Sequence, residues 1–151
     1  MKILRIIHTL AAIALGLFFI YAGSQKLIPK PPPAKPVDNS AFIEAFEKNE
    51  FESPVTFRMG IKALKTSGFL KMVGVLQILS GLLIIIPVTR LIGLLMLLPV
   101  VVNVFCFHFF MDNQLHENIE TGIYLLGTIL LIAYYYRILQ HLLIRKVYTF
   151  K

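Results

Sequence analysis

Cysteine and charged residues are both scarce in this sequence. Cys106 is the one cysteine among 151 residues, so a single chain cannot form a disulfide, a Cys-x-x-Cys pair or a multi-thiolate metal site. Charged residues make up 15% of the chain, against about a quarter in a typical soluble domain. The sequence also has no Walker loop, Gly-x-Gly-x-x-Gly, serine-hydrolase elbow or His-Glu-x-x-His motif. These absences exclude a dithiol redox mechanism within one chain, and they leave a soluble-type enzyme without support.

Hydrophobic residues make up 57% of the chain, and its mean hydropathy is +0.75. They fall into four long apolar blocks separated by clustered charges. A helix needs about 20 apolar residues to cross the hydrocarbon core, whereas barrel strands alternate and are about half as long. The sequence therefore predicts an all-α protein with a single transmembrane domain, an integral membrane four-helix bundle with spans over 5–27, 69–88, 90–111 and 119–144. The first block is long for a signal peptide, so we interpret it as a span.

The segment 28–68 forms a long outer loop in this prediction. Its proline-rich run 29–36 is typical of an extended polyproline strut. Cap residues followed by apolar residues on one face predict a short amphipathic helix over 39–51. A second amphipathic segment is predicted over 57–67. The loop is either a linker that lies on the membrane surface or a lid over the outer end of the bundle.

The distribution of Lys and Arg predicts the orientation of the helices. With four spans, the two termini and the turn at 87–90 share one side, which has seven basic residues and no acidic residue. The short connection 112–120 on the other side has no Lys or Arg, so both termini are predicted to face the cytoplasm. The net charge of +7 is spread along helix ends and a loop, which does not favour nucleic-acid binding. The expected partners are the lipid bilayer and other membrane subunits or a second copy.

Polar residues within the spans are the candidate site residues, because polar groups are costly in hydrocarbon. The candidates for binding a quinone or another polar ligand are Lys26, Gln77, Asn103, His108, Asp112 and Glu120. In the predicted orientation they lie in the outer half of the bundle or at its outer mouth. The inner half is expected to be almost purely aliphatic.

Most of these candidates also have a purely structural interpretation. Asn103 could hydrogen-bond the carbonyl that Pro99 leaves free. His108 could simply pair with Asp112. Glu120 suits the first turn of a helix, where an acid is favoured by the helix dipole, and Lys26 suits an anchor at a helix end. His108, His116, Asp112 and Glu120 have no recognised ligand spacing, so no metal site is predicted.

The run from Leu98 to Asp112 resembles the third-helix signature of DoxX-type membrane proteins, with Pro99, Asn103, His108 and Asp112 at the corresponding places. The first-helix ending Gly-Ser-Gln-Lys-Leu at 23–27 is similar to the family's pattern of Gly, two variable residues, Lys and an apolar residue. The family commonly has Glu where this chain has Gln77. The resemblance extends over all four predicted helices.

The resemblance implies a four-helix fold in the bacterial inner membrane. Some members are linked to quinone-coupled sulfur oxidation or to redox-stress complexes. The neutral amide of Gln77 replaces a carboxylate that would pair with Lys26 or carry a proton, so a proton-coupled role is not expected.

Together these expectations predict that the chain is a non-catalytic or quinone-contacting accessory subunit of a membrane redox or envelope complex. In this hypothesis His108 and Asn103 hydrogen-bond a quinone carbonyl, and Lys26 and Glu120 line the entrance. One alternative is a structural or assembly partner of a larger complex, with no small-molecule chemistry. A second is a small-molecule transporter, although the sequence shows neither a broken-helix pair nor a repeat.

Overall fold

The computed structural model describes residues 2–29, 40–48 and 55–147, and this part of the chain is helical apart from short turns, with no strand. The all-α prediction is thus confirmed for the described residues. The helices are α1 (Lys2–Leu27), α2 (Ser40–Lys48), α3 (Val55–Thr66), α4 (Phe69–Ile85), α5 (Arg90–Phe107), α6 (Leu115–Ala133) and α7 (Tyr136–Val147). A π-helical segment, His108–Asp112, continues α5. Most of the predicted polyproline run, and residues 39 and 49–51 of the predicted loop helix, lie outside the described residues.

Two of these helices are long and apolar enough to cross a membrane, namely α1 and the continuous helix Arg90–Asp112. A third span results if α3 and α4 are counted together, although the two are bent by 80° at the break between them. Helix α4 alone has 17 residues, which is a length of about 26 Å against a hydrocarbon core of about 30 Å. The large apolar side chains of α1 that face away from its neighbours are exposed, as at Leu10 and Leu17. Such a surface suits contact with lipid.

Helices α1 and α4 pack with their backbones in contact. A Cβ atom at Gly16 would lie 2.8 Å from the carbonyl oxygen of Gly81, and one at Gly23 would lie 2.5 Å from that of Gly74. The same seven-residue spacing on both helices brings the two glycine pairs to one interface. Small residues permit this close approach between helices in lipid.

The turn between α4 and α5 is stabilised by its own side chains. Thr89 Oγ1 donates to the carbonyl of Leu83 at 2.9 Å, and Arg90 Nε donates to that of Ile84 at 3.0 Å. Both carbonyls belong to the last turn of α4, where the helix itself supplies no donor. Helix α5 in turn packs against α6, and α6 contacts α1, so that α1, α4, α5 and α6 surround a common apolar core.

The fourth predicted span, 119–144, is divided in the structure. Helix α6 ends at Ala133 and α7 begins at Tyr136. Between them, the Tyr135 amide donates to the Ile132 carbonyl, which is a tighter turn than the α-helical one. Tyr134 stacks on His8 of α1, with ring centroids 4.0 Å apart. This aromatic contact lies at the break, and the sequence becomes more polar beyond it, with Arg137, Gln140 and His141 in α7.

Candidate functional site

The candidate site is built around His108, the first residue of the π segment. Helix α3 packs over this residue through Phe57. The centroid of the Phe57 ring lies 5.1 Å from that of the imidazole and 5.2 Å from that of the Phe107 ring. A Cβ atom at Gly60 would lie 2.7 Å from the Phe107 ring, so a larger residue there would have to displace this ring. The His108 side chain is consequently 17% exposed.

Two carboxylates lie beside the same imidazole. His108 Nδ1 is 3.0 Å from Glu117 Oε2 and 3.9 Å from Asp112 Oδ2. The Asp112 side chain is almost completely buried, whereas that of Glu117 is 44% exposed. Gln114 Nε2 donates to the other oxygen of Asp112, Oδ1, at 3.2 Å. Although Glu117 is near, the buried Nδ1 has no correctly aligned hydrogen-bond acceptor.

The chain reversal after the π segment brings these groups together. The amide of Asn113 donates to the carbonyl of His108 at 2.8 Å, five residues back, which is the π-helical pattern. Asn113 then adopts a left-handed conformation with φ 51°, which asparagine tolerates better than most residues. Asn118 Nδ2 donates to the Asn113 side chain at 3.4 Å. The reversal thereby brings Glu117, in the first turn of α6, next to His108.

Asn103 does not belong to this site. Its Nδ2 donates to the carbonyl of Pro99 at 2.8 Å, and its side chain is exposed. Five residues separate Asn103 from His108, which corresponds to about 140° around an α-helix, so the two side chains leave α5 in different directions. The carbonyl that Pro99 leaves without a donor is that of Leu95, four residues earlier, so Asn103 instead bonds the carbonyl of the proline itself.

Glu120 is not part of the cluster around His108 either. It accepts a hydrogen bond of 2.8 Å from the hydroxyl of Tyr124, and the Tyr124 ring stacks on Phe18 of α1 at a centroid distance of 4.3 Å. Glu120 therefore bonds a residue of its own helix that packs against α1.

Lys26 and Gln77 lie at the interface of α1 and α4. Lys26 Nζ donates to the carbonyl of Ala22 at 3.2 Å, and its Cβ atom adjoins Gly74. Gln77 is 2% exposed and its Cβ adjoins Gly23; its buried Oε1 has no hydrogen-bond partner among the described residues. Of the six predicted residues, the structure thus brings His108 and Asp112 together in one cluster, and Lys26 and Gln77 together at the glycine interface.

The contribution of Glu117 to this site is not predicted by the sequence. Glu117 and His108 are separated by nine residues and a chain reversal, which is not a recognised ligand spacing. The only available signal was the density of His, Asp and Glu over 108–120.

A second polar cluster, also not predicted from the sequence, lies at the opposite end of the helices. The expectation of an almost purely aliphatic inner half is wrong there, because Arg90 is 4% exposed and His8 is 7% exposed. Arg90 Nη1 donates to Thr9 Oγ1 at 3.3 Å, and His8 Nε2 lies 3.3 Å from the carbonyl of Leu131. Arg90 stands at a turn in the sequence, where an exposed position is the ordinary expectation; its role as a cap of α4 explains its burial.

An open groove runs along the same helix that covers His108. It is lined by Phe57, Arg58, Ile61, Lys62 and Lys65 of α3. Phe57 therefore borders the groove on one side and contacts the imidazole on the other.

Searches against protein-family models, curated proteins and solved structures found no match for this chain. The functional interpretation of the site therefore depends on its chemistry and on the sequence resemblance. That chemistry is an imidazole nitrogen between two carboxylates, at one end of the core helices and covered by an aromatic ring.

Proposed function

We propose that this chain is a DoxX-like protein of the bacterial inner membrane that serves as a quinone-contacting accessory subunit of a membrane redox or envelope complex. The observation that carries the proposal is the position of His108 between the aromatic ring of Phe57 and two carboxylates. A quinone has a flat ring and two carbonyl oxygens. Aromatic side chains pack against such a ring, and a few well-placed polar groups fix its orientation.

We further propose that α1, α4, α5 and α6 are the four spans, with both termini in the cytoplasm. Their mutual packing and their exposed apolar faces support this arrangement, and the distribution of Lys and Arg supports the orientation. The 80° bend places α3 across the end of α4, so that α3 would lie near the outer surface of the membrane. In this arrangement α3 is the part of the outer loop that covers the site.

The two ring nitrogens of His108 have separate roles in this proposal. Nδ1 faces the carboxylates of Asp112 and Glu117. No residue in the described part of the chain hydrogen-bonds Nε2, so this nitrogen is the one for a ligand. Protonated Nε2 donates to a quinone carbonyl, and deprotonated Nε2 accepts from a quinol hydroxyl. Phe57 replaces Asn103 as the second residue in contact with the quinone, because the Asn103 amide is already bonded to the Pro99 carbonyl.

Photolabelling with an azido-quinone tests the proposal. The full chain, purified in mild detergent with a chelator present, is irradiated with the probe and its labelled peptides are mapped. We expect label in α3 or around His108, displaced by unlabelled quinone. Loss of one neutral hydrogen bond costs about 0.5–1.5 kcal/mol, so His108→Ala should weaken quinone binding by about two- to tenfold.

His116→Ala is the matched control, because His116 is an exposed histidine on the first turn of α6 outside the cluster. It should bind the probe like the unmodified chain. A quinone site at His108 is contradicted if unlabelled quinone does not displace the label. It is also contradicted if His108→Ala and His116→Ala lose the label equally. That result favours the alternative of an assembly partner without small-molecule chemistry.

A further inference from the structure

We propose that His108, Asp112 and Glu117 form a binding site for a divalent transition-metal ion. Each residue offers one ligand atom, and these three atoms all lie within 4.8 Å of one another. A single ion placed among them would contact an imidazole nitrogen and two carboxylate oxygens. The three residues come from the π segment and from the first turn of α6, whose relative position is set by the reversal at Asn113.

The unsatisfied state of His108 Nδ1 points independently to a cation. This nitrogen is buried and has no aligned hydrogen-bond acceptor, although a Glu117 oxygen is 3.0 Å away. A metal ion accepts the lone pair of a neutral imidazole nitrogen and needs no N–H directed at the carboxylate. One cation would therefore satisfy Nδ1 and would also offset the repulsion between two neighbouring carboxylates. In the described part of the chain, no Lys or Arg forms an ion pair with Glu117.

The mixture of donor atoms selects the class of ion. Ca²⁺ and Mg²⁺ prefer oxygen ligands throughout, and Ca²⁺ takes six to eight of them. Imidazole nitrogen together with carboxylate oxygen suits Zn²⁺, Fe²⁺ or Mn²⁺. Three protein ligands leave at least one coordination position for water or for a ligand, as in catalytic zinc sites.

Neighbouring residues already orient the proposed ligands. Gln114 holds Oδ1 of Asp112, so that Oδ2 is the oxygen on the side of His108. Such outer hydrogen bonds are typical of metal-binding carboxylates. Coordination through Nδ1 also leaves the imidazole proton on Nε2, the nitrogen that is proposed to face a quinone. The metal site does not depend on the quinone proposal, because the two use different ring nitrogens.

Zn²⁺ titration of the full chain tests this site. The protein in mild detergent is treated with a chelator, exchanged into chelator-free buffer without quinone, and titrated with Zn²⁺ in a calorimeter. We expect saturable binding of about one ion per chain. Glu117→Gln should abolish this binding or weaken it strongly, and Glu117 is a suitable first variant because its side chain is 44% exposed and its loss disturbs little packing. Gln114→Leu should weaken binding by about 10–100-fold, as for other outer-shell residues.

Two variants control for nonspecific binding to His or acidic side chains. His116→Ala and Glu120→Gln remove the same residue types from the same helix outside the cluster, and both should retain the affinity of the unmodified chain. Co²⁺ in place of Zn²⁺ gives a second measurement, in which visible absorption bands should appear with the unmodified chain and not with Glu117→Gln. Absence of saturable binding, or equal loss in His116→Ala and Glu117→Gln, overturns the metal site. Because the quinone labelling is carried out with a chelator present, either proposal can fail while the other stands.

Discussion

Replacement of Gly23 by alanine tests the backbone contact between α1 and α4. A Cβ atom at this position would lie 2.5 Å from the carbonyl oxygen of Gly74 and 2.8 Å from Cγ1 of Ile78. Favourable contacts of carbon atoms occur at about 3.5–4.0 Å, so α1 must move away from α4 by roughly 1 Å at this level. The obstructing atom is a backbone oxygen in the middle of a helix, which cannot rotate aside. The displacement also affects Gln77, whose Cβ would lie 3.1 Å from the new methyl group.

The change in unfolding free energy caused by Gly23→Ala has two opposing contributions. Overpacking of a well-packed interior costs about 1–3 kcal/mol, whereas alanine is favoured over glycine inside a helix by about 0.5–1 kcal/mol. Gly127→Ala on α6 isolates the second contribution, because a Cβ atom there meets nothing within 4 Å. We therefore expect Gly127→Ala to be neutral or slightly stabilising. Gly23→Ala should be less stable than Gly127→Ala by about 1–3 kcal/mol, which is the packing contribution alone.

The comparison requires free energies of unfolding for both variants. Helix content can be followed by circular dichroism while a denaturing detergent is titrated into protein held in a mild one. If Gly23→Ala unfolds at the same free energy as Gly127→Ala, the close contact between α1 and α4 does not exist in the folded protein. The proposed arrangement of the four spans would then lose its main packing interface.

The remaining predictions concern the turn after α4 and the orientation in the membrane. Thr89→Val should cost about 1 kcal/mol of unfolding free energy, because a carbonyl in the last turn of α4 loses its donor. Thr66→Val should change stability little, because the Thr66 hydroxyl donates to the Lys62 carbonyl at an exposed position, where water can replace it. Equal losses in both variants would contradict the capping role. Single cysteines at Val88 and Leu115, which are 91% and 75% exposed, report the orientation in a Cys106→Ser background. An impermeant maleimide should label Leu115→Cys in intact spheroplasts and Val88→Cys only in inverted vesicles, and labelling of both from one side would refute the proposed topology.

The class of structure follows from the sequence, because hydropathy over about 20 residues is a local property. The structure confirms the all-α class in its described part, and it contains α1 and Arg90–Asp112 as helices that are apolar and long enough to cross a membrane. Sequence also identified His108 and Asp112 as candidates, since polar residues in an apolar run are conspicuous.

Only the tertiary structure decided which polar residues meet. Asn103 and His108 are close in sequence and diverge around the helix axis, whereas Glu117 lies beyond a chain reversal and contacts His108 at 3.0 Å. That reversal depends on a π-helical hydrogen bond and on one left-handed asparagine, and neither has a distinctive sequence pattern. The burial of Arg90 depends in the same way on carbonyls at the end of another helix. The position of a side chain around its helix, and the direction of the chain after each turn, are set by contacts between segments, so hydropathy predicts the helices and the contacts determine the site.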